Sequence, residues 1–307
     1  MLEKLVKKYG SVVGVICLII SALLWGGEYA VAKDVFKIID PNWANVIRTI
    51  PVVAICLIMW RKHFIKAKAD DWKRGAVCGI LFGVAYAVQS IGLNMINAGL
   101  SAFISSAYIV LVPFMVWAVS KIRPDLKVFV SSVVGILGVF IMSVTGLFEG
   151  NLSIGLGEIL SIVSAVGYGG AMVALDIYTE KSSVEFLTAN QFIYTLIAAL
   201  IFALVLEKPP HLIQVMDGVV IIEMLYMIAL GTFATQLLFT FGLKHATASQ
   251  AGVIFPLESV SATLFGCLFL GEQLDWVYVL GGVLLVGAIV ISSIDFPKRR
   301  NRTEILE

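Results

Sequence analysis

Ten long apolar segments, joined by short polar connections, constrain the fold of this chain more than any other feature. A helix that crosses the hydrocarbon core of a bilayer needs about 20 apolar residues, and runs of about that length recur along the sequence. The runs lack the polar–apolar alternation of membrane β-strands, so the sequence predicts an all-α polytopic membrane protein. The segments are 12–32, 43–60, 75–96, 100–120, 127–147, 154–175, 185–206, 219–242, 249–270 and 277–294.

The scarcity of charge excludes several other classes of protein. Only 14% of the 307 residues are charged, whereas a soluble domain carries about 25%. The formal net charge is +1 and no basic patch dominates, so we expect neither a soluble enzyme, nor a disordered scaffold, nor a nucleic-acid-binding protein. The four cysteines lie in apolar runs without ligand-like spacing, so we expect buried thiols and no metal or cofactor.

The positions of lysine and arginine predict the orientation of the chain. Cytoplasmic loops carry an excess of these residues in membrane proteins. With the N-terminus inside, 18 of the 22 basic residues fall in cytoplasmic segments and three in outer ones. This bias predicts an even number of spans in the cell membrane, with both termini cytoplasmic and a basic cytoplasmic tail at 295–307.

The two halves of the chain resemble each other. Residues 21–27 match residues 164–170, which lie 143 positions later, and paired glycines and aromatics keep the register. We therefore predict two five-helix repeats, 12–147 and 154–294, the second inverted relative to the first. Inverted repeats of this kind hold a substrate site near the midplane. The alternative is that apolar helices look alike by chance.

Glu28, Arg48 and Glu258 fall inside the apolar segments, where a charge costs several kcal/mol. Glu28 and Arg48 both fall in the outer half of the membrane when counted at about 1.5 Å per residue, so they can pair. Such a pair either holds the first two helices together or meets a charged substrate group or a proton.

Glu258 is the third such residue, and Pro256 lies two residues before it. Proline removes a backbone donor and loosens a helix, and the freed carbonyls beside a cavity can hold a cation or water. A carboxylate buried there can carry a proton at neutral pH. Glu28 and Glu258 are therefore the candidates for proton coupling, although Glu258 could instead be protonated and bonded to a neighbouring helix.

Further polar and aromatic residues at mid-membrane depth complete the candidate substrate site. Aromatic faces suit a cation or a planar ring, although each ring alone could serve packing or face lipid, and Gln191 is the repeat equivalent of Arg48. The candidates are Trp25, Glu28, Arg48, Tyr86, Gln89, Tyr108, Tyr168, Gln191, Gln236 and Glu258. We expect the acidic residues near helix ends to be solvated: Glu149, Glu158, Asp176, Glu180, Glu207, Asp217 and Glu272.

Glycine spacing adds a prediction about packing. Gly79 and Gly83 form a GxxxG pattern, and small residues let helix backbones approach each other in a membrane. We expect this pair to pack within the bundle, with a dimer interface as the second interpretation.

Several of these residues carry a resemblance to the EamA domain of the drug/metabolite transporter superfamily, in two tandem copies over 12–294. They are Trp25, Gly26, Lys33, Pro41, Arg48, Ala98, Ser101, Pro113, residues 257–262, residues 271–274 and Gly282. The resemblance implies a ten-helix inverted-repeat carrier with alternating access and a central cavity lined by both halves. Members of that family move amino acids, amines, nucleotide sugars and other small metabolites.

Two positions depart from the family pattern. Glu28 stands where the family more often has a small or amide residue, which implies a substrate or coupling feature of this branch. Ser259 stands where a proline commonly follows the glutamate, and Pro256 lies three residues earlier instead. The local geometry of this helix is therefore expected to differ from the family's.

The leading functional hypothesis is a secondary transporter for a small polar metabolite, an amine or an amino-acid-like compound, exchanged with protons. The protein is expected to act as a monomer or homodimer in the lipid bilayer. A channel or a lipid flippase is the alternative. A membrane enzyme is less favoured, because the three histidines fall in loops or at helix ends and no GxSxG or HExxH motif is present.

Overall fold

The architecture is helical throughout the part of the chain that the computed structural model describes, residues 2–121, 123, 126–143, 154–179, 181–210, 217–245, 254 and 256–294. The first half contains α1 (Leu2–Val35), α2 (Pro41–Met59), α3 (Arg61–Lys66), α4 (Ala69–Met95), α5 (Ala98–Ser106), α6 (Tyr108–Ser120) and α7 (Leu126–Ser143). The second half contains α8 (Leu156–Tyr178), α9 (Val184–Leu206), α10 (Gly218–Tyr226), a π-helical segment (Met227–Ala234), α11 (Thr235–His245), α12 (Pro256–Leu270) and α13 (Trp276–Ile294). No strand occurs among these residues, so the all-α prediction is confirmed.

Seven of the described helical spans are long and apolar enough to cross a membrane, and three shorter helices are apolar. The three shorter ones are Phe129–Ile141, Leu257–Leu270 and Trp276–Ile291. That these helices make ten crossings stays a prediction, as does the orientation of the termini. The predicted tail 295–307 and the start of the ninth segment, residues 249–253, lie outside the described residues.

Two predicted helices are interrupted in the structure. The segment 100–120 breaks at Ala107, between α5 and α6. Pro113 lies within α6, where it has no N–H to donate to the carbonyl of Ile109. The segment 219–242 contains the π-helical turns, where the Thr235 hydroxyl donates to the carbonyl of Leu230.

The most extensive helix contacts join the two halves of the chain. α4 packs along both α8 and α9, α1 packs along α11 and α12, and α7 packs along α13. α5 also packs against α12, and α2 against α9. The two halves are therefore interleaved, and the core between them is formed by both.

Small residues permit the close contact between α4 and α9. A Cβ atom added to Gly83 would lie 2.7 Å from the carbonyl oxygen of Tyr194 and 2.8 Å from the nitrogen of Thr195. A Cβ atom on Gly79 would lie 2.8 Å from the carbonyl oxygen of Asn190. The prediction that this glycine pair packs within the bundle is confirmed.

The prediction that the acidic residues near helix ends are solvated is wrong for three of them. Glu207 accepts hydrogen bonds from the backbone nitrogens of Asn42 and Trp43 at the start of α2. Glu272 accepts from Lys33 Nζ at 2.9 Å and from the nitrogen of Ala98, the first residue of α5, at 2.7 Å. Both carboxylates satisfy backbone donors that a helix start leaves free.

The remaining five acidic residues of that set have three different outcomes. Glu158 is 5% exposed, which makes it the third wrong prediction, and Asp217 is exposed as predicted. Glu149, Glu180 and the side chain of Asp176 lie outside the described part of the chain.

The α4–α9 contact predicts that Gly83→Ala destabilises the protein. Forcing a methyl group against backbone costs about 1–3 kcal/mol, which exceeds the roughly 0.5–1 kcal/mol that alanine gains over glycine within a helix. The unfolding temperature in detergent should fall below that of the wild type. Gly287→Ala is the matched control, because a Cβ atom there meets nothing within 4 Å. Equal unfolding temperatures for the two variants would contradict the packing role.

Candidate functional site

Glu28 and Arg48 form a buried ion pair between α1 and α2. α1 ends at Val35 and α2 begins at Pro41, so each charged residue lies seven positions from the connection and the two reach the same depth. Arg48 Nη1 donates to Glu28 Oε1, and both side chains are shielded from solvent. The predicted pairing is confirmed.

Tyr86 of α4 completes the polar contacts of this pair. Its hydroxyl donates to the same oxygen, Glu28 Oε1, at 2.7 Å. The guanidinium carbon of Arg48 lies 4.6 Å from the centre of the Tyr86 ring, within the range of a cation–π interaction. One tyrosine therefore contacts both charges, and three helices of the first half converge on the pair.

The π-helical segment lies against the other carboxylate oxygen of Glu28. A Cβ atom on Gly231 would lie 2.9 Å from Glu28 Oε2, so a side chain at this position would displace the carboxylate. Irregular turns of this kind occur frequently at functional sites. Sequence reasoning missed this contact, although Gly231 and Thr232 in an otherwise apolar run were a usable signal.

Gln89 is the centre of a second polar cluster. Its Nε2 donates to the Tyr29 hydroxyl at 2.6 Å and to Ser105 Oγ at 2.7 Å. Its Oε1 accepts from the Tyr168 hydroxyl at 2.5 Å. The cluster joins α1, α4 and α5 of the first half to α8 of the second. Tyr29 and Ser105 were not among the sequence candidates.

Glu258 belongs to the same polar region. Its partly buried side chain lies close to Tyr29 and interacts electrostatically with Tyr108 and Tyr168. Glu28 is also within electrostatic reach of Glu258. In the described part of the chain, no lysine or arginine lies within salt-bridge distance of Glu258.

A cavity of about 20 Å³ adjoins the ion pair. Arg48 and Tyr86 line it on one side, and Thr195, Thr232 and Gln236 line it on the side of the second half. Trp25, Phe82 and Phe192 supply apolar walls.

All ten sequence candidates lie in this one region. Trp25 lies between the cavity and Phe239, with ring centres 4.9 Å apart. Gln236 Nε2 donates to Gln191 Oε1 at 3.3 Å, and the Tyr108 ring centre lies 6.3 Å from that of Tyr168. The structure therefore brings together residues that the sequence placed only by depth.

The buried pair predicts a characteristic pattern of stability. Arg48→Gln should lower the free energy of unfolding by about 3–5 kcal/mol, because it leaves the Glu28 carboxylate buried and unpaired. The double variant Glu28→Gln/Arg48→Gln should recover a large part of that loss. A double-mutant cycle of thermal unfolding measures the coupling.

Asp70→Asn is the control for this cycle, because it removes an exposed charge and should change stability by less than about 1 kcal/mol. A double variant as unstable as the sum of the two single variants would show that the pair is not coupled.

Comparisons with known proteins agree with this architecture. An uncharacterized transporter of Archaeoglobus fulgidus is 27% identical over 295 residues, 94% of this chain and 90% of its own length. The uncharacterized transporter YoaV of Bacillus subtilis is 22% identical over 287 residues, 91% of this chain and 96% of its own. A crystal structure with 13% sequence identity shares the fold, with a TM-score of 0.66 over 92% of this chain and 96% of its own.

The family comparison covers both halves of the chain. The profile of the EamA-like transporter family matches residues 12–144 and again residues 155–294. The resemblance noted in the sequence is therefore confirmed, and this multi-pass membrane protein belongs to the EamA-like transporter family.

Proposed function

We propose that the protein is a secondary transporter that carries a small polar metabolite, an amine or an amino-acid-like compound, across the cell membrane by alternating access. The observation that carries this proposal is Glu258, a carboxylate inside the helix bundle with no cationic partner among the described residues. A charge at this depth is costly unless something neutralises it, and a substrate amine or a proton does so.

The surroundings of Glu258 favour an organic cation. Tyr29 and Tyr108 come from the first half, and Tyr168 comes from the second. Tyrosine faces attract cations, most strongly where water is excluded. A ligand bound there contacts both halves, which a carrier requires if substrate binding is to be linked to their relative movement.

The packing of the helices supports two inverted repeats, 12–147 and 154–294, with ten crossings. If the repeats are equivalent, α1 corresponds to α8, and α12 corresponds to α5 and α6 together. The contact of α1 with α12 then has a counterpart in the contact of α8 with α5 and α6, and both contacts occur. In the same way α4 corresponds to α11, so the contact of α4 with α8 has a counterpart in the contact of α11 with α1, which also occurs.

One pair of corresponding contacts in the two repeats differs in extent. α4 packs extensively along α9, whereas its counterpart, α2 against the π-helical segment, is slight. A carrier that alternates between two states is expected to be asymmetric in each state. In the other state, we expect the contact of α2 with the π-helical segment to become the extensive one.

The remaining parts of the proposal follow from charge and size. The distribution of lysine and arginine favours cytoplasmic termini, and Glu28 and Glu258 are the residues that would couple substrate transport to protons. The cavity of about 20 Å³ favours a carrier over an open channel, and the family favours transport over enzymatic activity. We expect a monomer or a homodimer.

Glu258→Gln tests the proposal in proteoliposomes. Amine uptake should fall about tenfold or more, because a neutral amide loses a charge-assisted hydrogen bond to the substrate. Wild-type uptake should weaken as the pH on the side of substrate entry falls, because protons compete for the carboxylate, and the variant should lose this dependence.

Asp70→Asn, on the exposed first turn of α4, is the control and should transport like the wild type. Uptake and pH dependence that are unchanged in Glu258→Gln would contradict the role of Glu258 in binding the substrate amine.

A further inference from the structure

The connection between α2 and α4 concentrates positive charge. Residues 60–74, which include α3, contain six basic residues and two aspartates, a net charge of +4, whereas the whole chain has a net charge of +1. A substrate site between the two halves leaves this cluster without a role. The basic residues are Arg61, Lys62, Lys66, Lys68, Lys73 and Arg74.

The two aspartates neutralise only the later part of this cluster. Lys73 Nζ lies 3.6 Å from Asp70 Oδ1, and Arg74 Nη1 lies 3.3 Å from Asp71 Oδ1. In the part of the chain that the structure describes, no carboxylate lies within salt-bridge distance of the lysines and the arginine of α3. These described residues therefore leave the charge of α3 unpaired.

The start of α9 holds α3 in one orientation. His63 Nδ1 lies 2.9 Å from Ser183 Oγ. The ring centre of Phe64 lies 5.1 Å from that of Phe186, and the ring centre of Trp72 lies 5.2 Å from the same ring. A helix of six residues is not stable by itself, so these contacts determine which of its faces points outward.

The outward face of α3 combines cations with one apolar side chain. Its exposed residues are Arg61, Lys62, Ile65 and Lys66, and Ile65 is 81% exposed. Lys62 and Lys66 lie four positions apart, so they are neighbours on one helix face, where two like charges repel each other. An anion between the two ammonium groups relieves this repulsion. The face therefore suits an anion that also has an apolar part.

The neighbouring surface indicates which anion this is. Ile58 and Met59 at the end of α2 are 74% and 58% exposed, and exposed apolar surface of this kind marks contact with a membrane. Trp72 is 43% exposed, and tryptophan is enriched where the hydrocarbon layer meets the headgroups. The basic face of α3 therefore adjoins a lipid-facing surface at the level of the headgroups.

We propose that α3 is a docking site for anionic phospholipids, with a lipid phosphate between Lys62 and Lys66 and with Ile65 against the acyl chains. The predicted orientation puts this connection on the cytoplasmic side, where the leaflet is negatively charged. Clusters of basic residues beside a spanning helix are typical of binding to such lipids. An acidic segment of a partner protein matches the charge of α3 but not the adjoining lipid-facing surface.

Native mass spectrometry of the purified protein in detergent tests this inference. The probes are phosphatidylglycerol and phosphatidylcholine with identical acyl chains, and only the first has a net negative charge. The wild type should retain phosphatidylglycerol in preference to phosphatidylcholine. Lys62→Gln/Lys66→Gln should weaken the affinity for the first molecule of phosphatidylglycerol about tenfold or more, because each lysine near the headgroups contributes to binding. Its affinity for phosphatidylcholine should not change.

Lys37→Gln/Lys208→Gln is the matched control, because it removes two exposed lysines from the other predicted side of the membrane. It should retain phosphatidylglycerol like the wild type. Lys62→Arg/Lys66→Arg should also retain it, because the charge is kept. The unfolding temperature of each variant without added lipid identifies any general loss of structure.

Two results would overturn this inference. One is equal affinity of the wild type and Lys62→Gln/Lys66→Gln for phosphatidylglycerol, and the other is equal retention of the two lipids by the wild type. Either result would leave an acidic segment of a partner protein as the occupant that the charge of α3 indicates. Because neither probe is a transported metabolite, the outcome is independent of the proposed function.

Discussion

The buried ion pair of Glu28 and Arg48 is the interaction on which the centre of the molecule depends. It fixes α1 against α2 at one depth, and Tyr86 adds α4 to the same pair. The π-helical segment reaches it from the second half through Gly231. An ion pair inside a bundle is a poor source of net stability, but removal of one partner is strongly destabilising. The pair therefore acts as a constraint that holds the surrounding polar groups in position.

Much of this arrangement could be predicted from the sequence, because a bilayer restricts what a chain can do. The lengths of the apolar segments predicted helices, and the expense of a charge at depth singled out Glu28, Arg48 and Glu258. Counting residues along two helices joined by a short connection placed the first two of these together. The packing of Gly79 and Gly83 followed from the same requirement, since backbones can approach closely only where side chains are small.

The rest could not be predicted, because it depends on which helices become neighbours. Thr195 gives no signal in an apolar helix, where a hydroxyl can usually bond to its own backbone, and only the structure shows that its hydroxyl has no partner among the described residues. The burial of Glu272 depends on Lys33 and on the start of α5, which lie more than 170 residues away in sequence. The surroundings of Thr195 and Glu272 are therefore set by tertiary contacts.

We propose that one substrate binds between the two halves, with its cation at Glu258. The most direct test is a cryo-electron microscopy structure of the protein in lipid nanodiscs with a transported amine or amino acid bound. We expect ligand density among α1, α6, α8 and α12, with the substrate nitrogen within hydrogen-bonding distance of Glu258. Specific density confined to the apolar groove between α7 and α13, which is lined by Val130 and Ala288, would contradict it.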